Sequence, residues 1–259
     1  MRAAFAAFAF PWLAALGAAL AAEPKPDPRR SGYEFMTPQV QAMQRDDAAN
    51  PAMLWVQGGA AIWDRAAGAS GKSCASCHGP AASSMRGVAA RYPAFDSADR
   101  RPIDLRQRIA ACRVNHQQAA PFATEGEDQL AIESFVALQS RGAVIAPPTD
   151  ARLKPAMERG ARLFNQRIGQ LDFSCAQCHD QHAGQRLAGS TIPQAHPTGY
   201  PLYRLEWQGM GSLQRRLRNC MAGVRAEPFA YGAQELVELE LYLAQRAAGM
   251  RIDAPAVRP

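Results

Sequence analysis

The sequence contains two copies of the pattern Cys-x-x-Cys-His, about a hundred positions apart. The first copy begins at Cys74 and the second begins at Cys175. Two cysteines three positions apart lie on one helical turn, so both can form thioethers with the vinyl groups of one porphyrin. The histidine that follows can then bind the iron. The duplicated pattern therefore predicts two covalently bound haem c groups.

Each copy of the pattern supplies a complete attachment site. The predicted thioether cysteines are Cys74, Cys77, Cys175 and Cys178, and the predicted proximal iron ligands are His78 and His179. A zinc site is the main alternative, but zinc motifs usually place their two ligand pairs roughly 12–20 residues apart. The much larger separation in this chain favours two haems over one zinc ion.

Residues 1–22 have the features of a secretory signal peptide. Arg2 supplies a positive charge, residues 3–20 are mostly apolar, and small residues at the end of this run offer a cleavage site. A retained membrane anchor is the alternative, but Pro11 and Gly17 interrupt the apolar run and no second span follows. We expect cleavage and a soluble periplasmic protein with no membrane span, since cysteines meet haem outside the cytoplasm.

An internal repeat divides the rest of the chain into two halves. Four positions of the first half recur 108 positions later: Leu105, Arg108, Ile109 and Cys112 correspond to Leu213, Arg216, Leu217 and Cys220. Each half also ends in an apolar-periodic segment, at 128–141 and 233–245, that predicts an amphipathic helix. Few segments show the alternating apolar pattern that predicts a β-strand. We predict a mostly α-helical fold of two tandem cytochrome c-like domains.

The repeat and the proline-rich breaks give the predicted domain boundaries. They are a signal peptide at 1–22, an N-terminal extension at 23–49, the first domain at 50–146, a linker at 147–152 and the second domain at 153–259. The extension is polar and contains prolines, so we expect an arm on the surface or on a partner and not a third core.

The formal net charge of +6 suits anionic small molecules or acidic partners. Nucleic acid is not an expected partner, because nothing beyond this charge supports it and the predicted secretion signal argues against it.

The ligand opposite each proximal histidine decides the chemistry of each haem. Ordinary electron-transfer cytochromes c place a methionine there, well downstream of the haem motif. In the first half Met85 follows His78 too closely, so the available donor is Cys112, with His116 as a weaker alternative. The candidates in the second half are Cys220, Met210, Met221, His182 and His196.

The chain has six cysteines, and Cys112 and Cys220 are the two outside the haem motifs. A disulfide between them is the usual expectation in an oxidising compartment. Bridging, however, requires Cα atoms within about 7 Å, and equivalent positions in two haem domains should each face their own haem. We predict that both are axial thiolate ligands, with the disulfide as the alternative.

The residues around the second lone cysteine resemble a known family. The two haem motifs, each followed by a lone cysteine, and the segment Arg216-Leu-Arg-Asn-Cys220-Met-Ala-Gly-Val-Arg-Ala-Glu-Pro228 are similar to the dihaem SoxA subunits of the SoxAX cytochromes of thiosulfate oxidation. The resemblance covers essentially the whole mature chain. It implies that Cys220 is the axial sulfur of the second haem and can carry a persulfide, and that Arg216 beside it binds anions.

The resemblance also implies an enzyme, L-cysteine S-thiosulfotransferase, which oxidatively conjugates thiosulfate to a cysteine of the carrier SoxYZ and passes two electrons to haem. A monohaem SoxX subunit is the expected partner. The first haem, with His78 and Cys112 as ligands, resembles the accessory haem of the family, and its thiolate implies a low potential.

Two other functional classes remain open at this point. A plain dihaem electron carrier would place Met210 or Met221 on the second iron, and a dihaem peroxidase would leave one iron open. Arg108 occupies the repeat position of Arg216. An arginine four residues before the ligand could therefore be structural in both halves.

Overall fold

The structure, a computed structural model, describes residues 27–259. The predicted signal peptide and the first residues of the predicted extension lie outside the described residues. Within 27–259, no helix combines the length and the hydropathy needed to cross a membrane.

The first domain is a helical unit built around the pairing of its first and last long helices. In chain order its helices are α2 (Ala52–Asp64), α3 (Cys74–His78), α4 (Ala81–Ser84), α5 (Leu105–Cys112) and α6 (Glu127–Leu138), preceded in the chain by α1 (Pro38–Arg45) of the N-terminal segment. A π-helical turn, Arg113–Gln117, continues α5. Helix α2 packs against α6, and Ile62, Trp63 and Ile132 form the buried centre of that contact.

The second domain repeats this plan. Its helices are α7 (Lys154–Asn165), α8 (Leu213–Gly223) and α9 (Gln234–Arg246), and the second haem motif continues into a π-helical turn at Gln177–Gln181. Helix α7 packs against α9, with Phe164, Leu239 and Leu243 buried between them. The two apolar-periodic segments of the sequence are thus α6 and α9, the closing helices of the two domains.

A glycine stands at the crossing point of each helix pair. A Cβ atom at Gly59 would lie 2.2 Å from the carbonyl oxygen of Ala131, and one at Gly160 would lie 2.1 Å from that of Glu238. No side chain fits at such a distance, so the absence of a Cβ lets each pair of helix backbones approach closely. This contact explains why both halves carry a glycine four residues before a buried aromatic side chain.

The expectation of helices throughout is incomplete, because each domain also contains a short antiparallel hairpin. The pairs are β1 (Ala94–Asp96) with β2 (Arg101–Ile103), and β5 (Leu202–Arg204) with β6 (Gly209–Gly211). The second hairpin lies 108 positions after the first, so it belongs to the repeat. A small extra hairpin, β3 (Arg186–Leu187) with β4 (Ser190–Thr191), and a strand β7 (Ala256–Arg258) parallel to β5 occur only in the second half. Strands of two or three residues are too short to show an alternating pattern in sequence.

The N-terminal segment packs on the second domain. It contains a 3-10 turn at Gly32–Phe35 and helix α1. The Gln44 side chain at the end of α1 accepts a hydrogen bond from the backbone NH of Val257 at 3.2 Å, and Met36 is buried. The segment therefore covers part of the surface of the second domain.

The two domains meet through equivalent surfaces. A cavity of about 110 Å³ lies between them, lined by repeat-related pairs that include Tyr92 with Tyr200, Leu105 with Leu213, Arg106 with Gln214, and Glu133 with Glu240. Its polar centre is a hydrogen-bonded cluster. The buried Asp104 carboxylate accepts from Arg106 at 3.0 Å and from Gln214 at 2.9 Å, which connects the domains through paired polar groups.

Candidate active site

The second haem motif fixes the orientation of its histidine. Ser174 precedes the motif and its hydroxyl accepts a hydrogen bond from the backbone NH of Gln177, which starts the turn that carries Cys178 and His179. The ring Nδ1 of His179 lies 2.7 Å from the carbonyl oxygen of Pro193. A carbonyl can only accept, so Nδ1 carries the proton and Nε2 is left as the metal-binding nitrogen.

Cys220, on α8, faces this histidine. Its thiol is within hydrogen-bonding reach of the His179 ring, and Cys175 and Cys178 lie close to it. Burial alone would raise the pKa of the Cys220 thiol, but the neighbouring His179 ring and the charges of Arg216 and Arg204 outweigh burial and lower that pKa. The fold therefore makes the Cys220 thiol easier to deprotonate than an ordinary cysteine.

The thiol pKa values of the two cysteines in the second haem motif shift in the opposite direction. Burial raises the pKa of the Cys175 thiol to about 11 and also raises that of Cys178. The cluster thus provides two thiols for thioethers, one histidine nitrogen and one further thiol whose pKa is lowered. This donor set fits a c-type haem, which Cys175 and Cys178 would attach and which His179 and Cys220 could ligate.

A cavity of about 140 Å³ opens beside Cys220. It is lined by His179, Cys220, Arg216, Tyr200, Arg204 and Arg258, together with residues of the N-terminal segment and the β3–β4 hairpin. Arg216 lies one turn before Cys220 on α8, so both side chains occupy the same face of the helix. The site thus places guanidinium groups beside the sulfur, where oxyanions can bind.

The first haem motif lies in an equivalent place but has a different charge environment. Cys112, at the end of α5, lies close to Cys74 and Cys77. The His78 ring packs beside that of Trp63, with centroids 5.7 Å apart. Burial raises the pKa of the Cys112 thiol, although Arg108 opposes this shift. The predicted ligands of both haems are therefore each gathered within their own domain.

The two lone cysteines are held apart by this arrangement. Cys112 ends α5 beside the first motif, and Cys220 lies on α8 beside the second. All six cysteines fall within the described residues, and no disulfide joins any two of them. The geometry favours the ligand interpretation over the disulfide.

Several alternative donors lie elsewhere. Met210, on β6, is buried against Ala52 and Leu130 of the first domain, so it is part of the core and not of the haem site. His116 and His182 are exposed. His196 lines the cavity, but its ring hydrogen-bonds to the backbone carbonyl of Arg30 at 2.9 Å.

The comparisons with known proteins agree with this geometry. The model of the SoxA/TsdA cytochrome c domain family matches residues 58–145 and 159–252. The L-cysteine S-thiosulfotransferase subunit SoxA of Pseudaminobacter salicylatoxidans is 39% identical over 229 residues, which cover 88% of this chain and 80% of that protein. The corresponding subunit of Rhodovulum sulfidophilum is 36% identical over 232 residues, with coverages of 90% and 81%. The chain belongs to the SoxA family of L-cysteine S-thiosulfotransferase subunits.

The structural comparison supports the same family. The crystal structure of SoxXA from P. pantotrophus matches with a TM-score of 0.86 and 33% identity, over 89% of this chain and 87% of that one. Membership confirms the predicted family, the mostly helical fold of two cytochrome c domains and the enzyme class, and favours them over a plain electron carrier or a peroxidase. A cytochrome c domain binds haem c, which also favours haem over zinc.

Sequence reasoning missed three contributors to this SoxA site. Pro193 orients His179, the N-terminal segment covers the cavity, and Arg204 adds a second guanidinium near Cys220. The first two depend on folding and leave no local pattern. Arg204 leaves one, because it stands 108 positions after Asp96 and thus reverses the charge at a repeat position.

Proposed function

We propose that this chain holds the site at which thiosulfate is conjugated oxidatively to a cysteine of a SoxYZ-like carrier protein. The observation that carries the proposal is the grouping of Cys220, His179 and Arg216 around one cavity. The names of the curated relatives, which are L-cysteine S-thiosulfotransferase subunits, support the same reaction.

The site is proposed to work with two covalently bound haems c. The first is held by Cys74 and Cys77 with His78 and Cys112 as iron ligands. The second is held by Cys175 and Cys178, with His179 and Cys220 as ligands. When bound, the haem supplies an acceptor for one electron at a time.

The overall reaction balances as follows. The carrier thiol loses its proton, a sulfur–sulfur bond forms between the carrier sulfur and the outer sulfur of thiosulfate, and two electrons leave through haem. The product is a carrier cysteine that bears an S-thiosulfonate group. No bond of thiosulfate breaks, so the protein must bind the anion, position its outer sulfur and admit the carrier thiolate.

The residues of this chain divide that work. Arg216 stays charged and presents a planar pair of donors, so it can hold the sulfonate oxygens without taking part in proton transfer. The Cys220 sulfur lies in the same cavity, and the lowered pKa of its thiol makes the thiolate easier to form. A terminal sulfur carried there as a persulfide would be the atom open to sulfur–sulfur exchange with thiosulfate or the carrier thiolate.

Partner and compartment are part of the proposal. The matching crystal structure is of a SoxXA protein, which supports a monohaem SoxX-like subunit as the partner of this chain. A periplasmic location rests on the predicted signal peptide and on the extracytoplasmic attachment of haem to cysteine. Nucleic acid is not an expected partner.

Replacing Cys220 by alanine tests the proposal directly. We expect Cys220→Ala to abolish thiosulfate-dependent electron transfer in the presence of SoxYZ, because the sulfur at the site is lost. Cys112→Ala is the matched control, and it should mainly shift the spectrum and the potential of the first haem. Turnover and haem content, measured by denaturing mass spectrometry, are compared for both variants. Full turnover by Cys220→Ala with both haems bound would refute the proposed function.

A further inference from the structure

The two domains differ in charge at one repeat position of their hairpins. Asp96 ends β1, and Arg204 ends β5 108 positions later. In the first domain the Asp96 carboxylate accepts a hydrogen bond from Arg108 at 2.6 Å, which pairs that arginine with a negative charge. In the second domain the partner position of Arg216 holds Arg204 instead. The first domain thus has the ion pair Asp96–Arg108 where the second domain has two cations, Arg204 and Arg216.

Arg204 is a buried charge with a weak partner. Its residue is 9% exposed, and its Nε atom is buried without a hydrogen-bond partner in the described part of the chain. Its ion pair is with Glu206 at 3.0 Å, and that carboxylate side chain is 65% exposed and therefore strongly screened by water. A buried guanidinium with a free donor is costly unless an anion completes it.

Neighbouring positive charge increases the free-energy cost of burying the Arg204 guanidinium. Burial and the charge of Arg216 both lower the pKa of Arg204. Arg258, the other arginine of the cavity, differs because it is paired with Asp253 at 3.2 Å and also hydrogen-bonds to Gln44. Arg204 is thus the buried guanidinium of the site whose carboxylate partner is screened by water, and within residues 27–259 no salt bridge joins Arg216 to a carboxylate.

We propose that Arg204 is a second oxyanion-binding residue of the Cys220 site and that it shares the sulfonate oxygens of thiosulfate with Arg216. This inference deepens the proposed function and rests on it. Three oxygens and two negative charges give the anion enough acceptors for two guanidinium groups.

A haem propionate has the same carboxylate-type oxygens and is the competing source of negative charge. The first domain argues against it, because that domain is proposed to hold a haem of the same kind and yet neutralises Arg108 with Asp96. Holding a haem in this fold therefore does not call for two unpaired arginines. The extra cation is found at the site where a reacting anion must bind.

The test measures thiosulfate binding without turnover. Wild type and variants of the purified haem-loaded complex with its SoxX-like partner are titrated with thiosulfate in the absence of the carrier, and the perturbation of the haem spectrum gives Kd. We expect Arg204→Lys to weaken binding about threefold and Arg204→Gln to weaken it about tenfold to a hundredfold. Arg204→Asp reproduces the first-domain pair and should abolish binding, since the new carboxylate would neutralise Arg216.

A matched control removes a positive charge far from the site. Arg65 is exposed and paired with Asp128 in the first domain, so Arg65→Gln should leave Kd unchanged. The potential of the second haem and the haem content are measured in parallel. An unchanged Kd with a shifted potential in Arg204→Gln would assign Arg204 to a propionate and overturn the proposal. Loss of the second haem in both Arg204→Lys and Arg204→Gln would also overturn it.

Failure of this inference is separable from failure of the proposed function. Turnover by Cys220→Ala refutes the function, whatever Arg204 does. A wild-type Kd in Arg204→Gln refutes only the role of Arg204.

Discussion

The two predicted haem sites have repeat-related cysteines and opposite electrostatics. Burial dominates at Cys112 and raises the pKa of its thiol, whereas the neighbouring His179 and two arginines lower the pKa of the Cys220 thiol. Arg108 is paired with a carboxylate, and its counterpart Arg216 faces another arginine. The repeat thus places a lone cysteine beside each haem motif, and the charges around the two sulfurs differ.

The comparison also explains how the second site is enclosed. The second domain adds the β3–β4 hairpin, strand β7 and the N-terminal segment, and residues of all three line the cavity beside Cys220. Additions of this kind appear on one of the two domains only. They enclose the cavity beside Cys220 without changing the helices that the two domains share.

The largest difference is expected between the lysine variants of Arg216 and of its repeat counterpart Arg108. Arg216→Lys keeps the charge but loses the planar pair of donors, so turnover should fall about a hundredfold while both haems stay bound. Arg108→Lys can keep an ion pair with Asp96 and should leave turnover near wild type. Steady-state rates of wild type and both variants, measured at limiting thiosulfate and saturating carrier, test this prediction. Equal rates in wild type and Arg216→Lys would make the arginine structural in both domains.

A second comparison concerns the helix crossings, where the domains should respond alike. Gly59→Ala and Gly160→Ala each place a Cβ within 2.2 Å of a backbone oxygen, so each should lower the free energy of unfolding by about 2 kcal/mol. Gly58→Ala is the control, because its Cβ would meet only Ala131 at 3.7 Å and alanine favours the helix by about 0.5–1 kcal/mol. Urea denaturation of the haem-loaded protein measures all three. A neutral Gly160→Ala would show that α7 and α9 can separate freely.

The smallest effect concerns the cavity between the domains and appears only in a pH window. Burial, with the nearby charge of Asp104, raises the pKa of Glu133 from 4.5 to about 8, although Arg106 opposes the shift. The folded state therefore holds a proton that the unfolded chain releases, and stability is lost as pH rises from about 4.5 towards 8. Glu240 faces the same cavity, and its pKa is also raised by burial.

Glu133→Gln removes this titration. The variant should gain stability over wild type as the pH rises towards 8, and it should gain nothing at pH 4. Glu127→Gln, at the exposed start of α6, should show no such window. Thermal unfolding midpoints of wild type and both variants across this range provide the measurement. A pH-independent difference for Glu133→Gln would mean that its carboxyl stays ionised in the folded protein.

Sequence reasoning reached the family and the fold because their signals are local. The haem motifs, the Arg-x-x-x-Cys spacing and the apolar period of α6 and α9 can each be read within one short segment. The short hairpins could not be predicted, because three residues show no alternation and their pairing depends on the surrounding helices. The position of the N-terminal segment on the second domain also depends on the folded surface.

Only those parts of the candidate site that lie close together in the sequence could be predicted. Cys220 and Arg216 lie one turn apart on α8, so their proximity follows from helical geometry. Arg204 is on a different element, and its relation to Arg216 needs the fold. The change from Asp96 to Arg204 at equivalent positions is nevertheless visible when the two halves are aligned. Charge differences between repeat positions can therefore indicate a functional difference between the two halves of a duplicated chain.

The equivalent surfaces between the domains have a consequence for how such a molecule can be built. Two identical subunits meeting in this way would form an isologous dimer, and every charge near its axis would face a copy of itself. Arg106 faces Gln214 instead, and Asp104 has Ser212 as its counterpart, so the Arg106–Asp104 ion pair has no copy on the other side of the cavity. Joining both copies in a single chain frees each half to carry a different residue at the same place. The covalent link thereby permits an asymmetry that a homodimer could not adopt, both at the contact and around Cys112 and Cys220.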